Sequence, residues 1–227
     1  MSAVSVCAVS GLGGTGVASA LQARLSSLPN PPVNCDPAPT SPTWGVVNID
    51  ACRAKERVGP LTLPSNWGAL TRVEQGFVLI DLERVNRGLP PILGLSASLD
   101  RLAKTGAVRH SDPPFPKSGF NSGGGIWAAS GSVVAADYMW MYDDGPHGFD
   151  MNIVCTHPGE AGCWMHRDII LWKGGRNLVA GGGMTPTAGG DSYAYLVLSG
   201  HSTAGLAFTW AYELRYFAAK PHLELLG

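Results

Sequence analysis

No run of about eighteen apolar residues occurs anywhere in the chain, which excludes a membrane-spanning helix. Charge is scarce as well. Only 15% of the 227 residues are Asp, Glu, Lys or Arg, and sixteen basic against seventeen acidic side chains leave a formal charge of −1. No stretch gathers the cations that would track a phosphate backbone, so nucleic acid is excluded as a partner. The nucleophile-elbow pattern G-x-S-x-G is also missing, and Ser199-Gly200-His201-Ser202 reads as a turn after a strand. What the chain has in excess is glycine and proline, thirty and seventeen, against about 12% together in ordinary proteins. With 45% hydrophobic residues, it can bury the core of one domain, threaded by many loops.

The five cysteines fall into two local pairs and one remainder. Cys35 and Cys52 flank a proline-rich segment, and Cys155 and Cys163 bracket a turn-rich one; disulfides there suit an oxidising, extracellular compartment. A second use competes for the later pair. Cys155, His157, Cys163 and His166 amount to a Cys2His2 inventory for tetrahedral zinc, which needs thiolates and so excludes the disulfide. Cys7 lies in an apolar, small-residue-rich stretch whose Ala18-Ser19-Ala20 resembles a cleavage site, so residues 1–28 read as a signal remnant or an N-terminal helix. The same stretch contains Gly11-Leu12-Gly13-Gly14-Thr15-Gly16, a dinucleotide-type fingerprint, with Asp36 about 20 residues on. The prolines before Asp36 forbid the buried second strand that this fold requires.

Residues 29–66 read as a disulfide-clipped, proline-rich linker. Thr71 and Glu74 form a capping box, and Val73, Phe77, Ile80 and Val85 mark the apolar face of the helix that follows. Gly88 and Pro90-Pro91 end it. A second helix is expected over Ser98 to Lys104, stopping at Gly106, then a long loop from Arg109 to Gly125. Ser132 caps a third helix through Tyr142, and Trp164 to Leu171 gives a short fourth. Leu178 to Gly182, Tyr193 to Leu198 and Phe208 to Phe217 are strand candidates. Helices first and strands later predict an α+β fold with a mainly antiparallel sheet.

Between Val73 and Gly200 several short motifs occur in a telling order. The helix end D-L-E-R-V-N-R-G-L-P-P (Asp81 to Pro91) is followed by L-D-R-L-A (Leu99 to Ala103), then A-D-Y-M-W-M-Y-D-D-G (Ala136 to Gly145) and G-C-W-M-H-R-D-I-I-L (Gly162 to Leu171). This series resembles the CAP superfamily of cysteine-rich secretory, antigen 5 and pathogenesis-related group 1 proteins, closest to its divergent bacterial SCP-like members. Arg84 matches the arginine of the family's N-x-x-R, and Asp81 stands where the asparagine is expected. The resemblance implies a three-layer α-β-α sandwich over residues 67–200, with 201–227 a C-terminal strand extension, and it implies secretion.

It also implies a cleft of two histidines and two acids able to hold a divalent metal such as zinc. His166 matches the second histidine, Asp143 the acid of W-x-x-E, and His110 the first histidine. The fourth position departs, since Gly124-Gly125-Ile126 replaces the family's E-N-I. Read from chemistry alone, Asp144, Arg167 and Asp168 are solvated charges, Glu83 and Arg87 a pair along one helix with little consequence for chemistry, and His166 a ring held within a helix–loop contact. The tryptophans and tyrosines serve the core or line a groove. The expectation is a secreted binding or surface-interaction module for an unidentified glycan, lipid or protein, its site at His110, Asp143 and His166. The alternatives are a metal-assisted hydrolase of cell-wall or peptide material using those residues, and a purely structural surface protein.

Overall fold

The computed structural model describes residues 35, 45–144, 163–175 and 177–218. Cys7, Cys155, His157 and the glycine-rich fingerprint lie outside them. Within the expected linker sits a helix, α1 (Val46–Lys55). It starts where the Asn48 side chain accepts the Gly45 amide, and it buries Ile49, Cys52 and Arg53. Its register is held by the Cys35–Cys52 disulfide, whose Cα atoms lie 5.6 Å apart. The linker reading is corrected to that extent: six prolines before residue 43 masked a ten-residue helix after it.

The best-signalled helix is α2 (Arg72–Val85), with both halves of the Thr71/Glu74 box formed and Gly88 at φ +72° beyond its end. β1 (Gly94–Ser96) runs directly into α3 (Ala97–Arg109), which passes the expected stop at Gly106. Gly106 lies inside that helix because Pro113 packs where its Cβ would be. β2 (Ser122–Ser130) contains the glycine run assigned to a loop. α4 (Val133–Tyr142) is capped by Ser132 as expected, through a bond from the Ala135 amide. α5 (Met165–Ile170), β3 (Val179–Thr187) and β4 (Gly190–Ser199) follow. The last strand candidate divides into β5 (Leu206–Thr209) and α6 (Trp210–Glu213), where the Thr209 hydroxyl caps the new helix.

The fold is α+β, with a five-stranded sheet in the order β2-β4-β3-β1-β5. Three pairings are antiparallel, and β1 with β3 is parallel. Helices and strands alternate along the chain, so the helices-first reading missed β1 and β2 while reaching the right class.

Alternation along the strands separates two helical layers. On β3, a Cβ at Gly182 would meet Val73 of α2, whereas at Gly181 and Gly183 it would meet the backbone of Leu99 and of Lys104 in α3. On β2, a Cβ at Gly124 would meet Ile169 of α5, and at Gly125 it would meet Pro113. One face thus carries α2, α4 and α5 over the main core, with Phe77, Ile80, Ile126, Trp140, Tyr195 and Val197 buried. The other carries α3 over a smaller cluster of Leu99, Val179, Leu196 and Leu198. β4 is buried on both faces, which is why Tyr193 to Leu198 reads as an unbroken apolar run.

Candidate functional site

His166 begins the second position of α5, a helix whose first residue follows Trp164 in a left-handed conformation at φ +62°. Tryptophan has no acceptor with which to cap a helix. The cap comes instead from across the chain: Asp144 Oδ2 accepts the backbone amides of His166 (2.6 Å) and Arg167 (3.4 Å). Its other oxygen, Oδ1, lies 3.0 Å from His166 Nδ1. One buried carboxylate therefore fixes both the start of the helix and the plane of the imidazole. This corrects the reading of Asp144 as a solvated acid, because the free amides of α5 need an acceptor that its own sequence does not supply.

The other ring nitrogen, Nε2, faces Asp112 Oδ1 at 3.4 Å. The His166 and Asp112 side chains are each 18% exposed, against 4% for Asp144, so the site opens on the Asp112 side. Asp143, expected in the cleft, ends α4 and is half-buried. Burial, then the neighbouring charge of Asp144, push its carboxyl up to about 6. His110 occupies the left-handed C-cap of α3 and meets Trp127 edge to face, with ring centroids 6.2 Å apart. The structure thus brings His166 together with Asp144 and Asp112.

Among the described residues no three His, Cys, Asp or Glu side chains are grouped to hold a metal ion. The two carboxylates address opposite nitrogens of one ring and share no common point. At Gly124, where the resemblance would place an acid, a Cβ would lie 2.3 Å from Ile169 Cγ1, so an apolar side chain fills that place. Cys163 is disulfide-bonded to a cysteine outside the described residues. The Cys2His2 reading therefore loses one of its two thiolates.

Behind the site lies a charged cluster that the sequence did not announce. Arg167 is fully buried, contrary to its reading as a solvated charge, and Asp168 is 4% exposed. Arg167 Nη2 donates to Glu56 Oε2 (2.8 Å), and its Nη1 donates to the carbonyl of Met141 (2.9 Å). Glu56 Oε2 also accepts from Arg87 (2.7 Å), Arg87 pairs with Glu83, and Arg53 lies 2.9 Å from the other oxygen of Glu83. Tyr142 donates to Glu83 at 3.0 Å. The Glu83/Arg87 pair exists as expected, but it is interior. Burial pushes the Glu83 carboxyl up, and Arg87 and Arg53 more than offset it, so it stays below its ordinary value. Asp137, fully buried beside Glu83, is pushed well above its own. The one local sign of this cluster was charge on the apolar helix α2; its partners stand up to 111 positions apart.

Comparison with protein-family models, curated proteins and solved structures finds no match. No helix among the described residues is long and apolar enough to cross a membrane.

Proposed function

We propose that this chain is a secreted, CAP-like extracellular binding module whose ligand is held at His166 and Asp112. The observation that carries the reading is Ile169 over Gly124. Where the family places a carboxylate, this chain has an apolar contact, which removes an arm of a four-ligand metal site and leaves a hydrogen-bonding pair. That pair is well set for a ligand bearing hydroxyl or amine groups. Asp144 holds the ring, Nε2 stands at the opening, and the Asp112 carboxylate accepts beside it. The alternation of α3 on one face of the sheet with α2, α4 and α5 on the other supports the family resemblance. The Cys35–Cys52 disulfide supports an oxidising compartment.

A second reading rests on the same contact, because an imidazole oriented by a buried carboxylate is also how a general base is held. Binding assays with oligosaccharides, lipids and extracellular proteins, alongside zinc titration, separate the two. The expected result is a ligand retained by the wild type and lost by folded His166→Ala, with zinc bound weakly or not at all. Zinc bound near one per chain, lost in that variant and accompanied by cleavage of a peptide or cell-wall substrate, would overturn the binding reading.

A further inference from the structure

We infer that the Cys35–Cys52 disulfide governs assembly of the His166 site, acting through Glu56 and Arg167. This rests on the reading of His166 as the centre of the site, and adds a control to it. The path is short and each link is a named contact. Cys52 sits in the last turn of α1, and its carbonyl accepts the backbone amide of Glu56 at 3.2 Å. The position of the Glu56 side chain is therefore set by the turn that the disulfide pins. Glu56 Oε2 takes both Arg87 and Arg167, at 2.7 and 2.8 Å.

Arg167 is the residue after His166, and it ties the start of α5 to the end of α4 through Met141. Those two ends carry Asp144 and His166. The Arg167 guanidinium also lies within 6 Å of the ring centroids of Tyr142 and Trp164, so it is wedged rather than tethered at one point. Without Glu56 in place, Arg167 has lost a carboxylate in a fully buried setting, and a buried guanidinium seeks water when its counter-charge goes. The turn that aligns His166 N, Arg167 N and Asp144 would open with it.

Apart from the disulfide, α1 is attached by its own packing, by Glu56, by Arg53, and by Asp50, whose carboxylate accepts the Leu61 amide at 2.6 Å. Closing it joins Cys35 Sγ to Cys52 Sγ. Two protons and two electrons pass to a disulfide-carrying oxidant, which leaves as a dithiol. The site would thus mature on arrival in an oxidising compartment, and a chain kept reduced would present His166 without its fixed carboxylate partner.

Amide hydrogen exchange on the ligand-free protein tests this. In the Cys35→Ala/Cys52→Ala variant, which leaves the Cys163 disulfide intact, the amides of His166 and Arg167 should exchange at least about tenfold faster. Those of β4 should stay protected. Glu56→Gln, with the disulfide present, should reproduce the same local loss. Wild-type protection of both amides in the folded double-alanine variant would overturn the proposal. If that variant does not fold, Glu56→Gln decides: local loss supports the link and retained protection overturns it. Global unfolding of both would also overturn it, since Glu56 and the disulfide would then both serve the whole fold and not the site. No ligand enters this experiment, so a failed ligand search leaves its outcome untouched.

Discussion

Asp81 stands where the motif that the sequence resembles carries asparagine, and its surroundings suit a neutral side chain of that shape. The side chain is fully buried, its Oδ1 accepts the Ile92 amide at 2.7 Å, and burial pushes its carboxyl well above the ordinary range despite that bond and Arg84. A carboxyl that keeps its proton is a near copy of an amide. In the unfolded chain it would ionise near pH 4, so its burial makes folding less favourable as pH climbs above that value. Asp137, with a carboxyl raised by burial and by Glu83, acts with the same sign. Asp81→Asn should therefore fold normally and lose less thermal stability than the wild type as pH rises above about 4, as read by melting curves. Asp143 gives a milder case, since its carboxyl is raised to about 6 while remaining half-exposed. Asp143→Asn should flatten the decline between about pH 4 and pH 6, with a gain at neutral pH of no more than about 1 kcal/mol. Glu56 stands at the other extreme. Replacing it by Ala leaves Arg87 and Arg167 without their shared carboxylate, a loss of about 3–5 kcal/mol measurable by denaturant titration.

Two of the glycine-bearing strands show why some elements were legible and others were not. Thr71, Glu74, Gly88 and Ser132 act through bonds to residues three or four positions away, and local chemistry of that kind can be read directly from order in the chain. β2 is different. Gly123, Gly124 and Gly125 carry no strand propensity, and they extend only because β4 pairs with all nine residues of the strand. Their small size is set by what lies across from them. The same holds on β3, where the α3 backbone approaches so closely that a Cβ on Gly183 would lie 2.2 Å from the Lys104 nitrogen. Gly183→Ala must push helix backbone off the sheet, while the nearest atoms to Gly124→Ala belong to the Ile169 side chain, which can shift without moving the backbone. The first should cost about 3 kcal/mol and the second nearer 1, a difference that chemical denaturation of the two variants would expose. Asp144 as the cap of α5 belongs with the unreadable features, because the acceptor lies 22 positions before its amide. The sequence singled out His166 and, of the two neighbouring aspartates, Asp143, whereas it is Asp144 that contacts the ring.

Across the whole molecule, the main core and the smaller one are separated by the sheet, yet Asp112 and His166 belong to opposite layers. Asp112 precedes Pro113, which packs over Gly125, and His166 precedes Ile169, which packs over Gly124. Successive residues of a strand face opposite sides, and β2 is the last strand of the sheet. The two side chains, 3.4 Å apart, nevertheless join the layers, and among the described residues β2 pairs with β4 alone. A nine-residue edge strand rich in glycine is a template for a strand from another chain. The pair at the candidate site ties together the layers on the two faces of that strand. Asp112→Ala should then do more than weaken the proposed binding site: sedimentation or light scattering should find stronger concentration-dependent self-association than in the wild type. Recognition and solubility would share one contact, so a change that retunes the ligand also changes how well the chain stays alone.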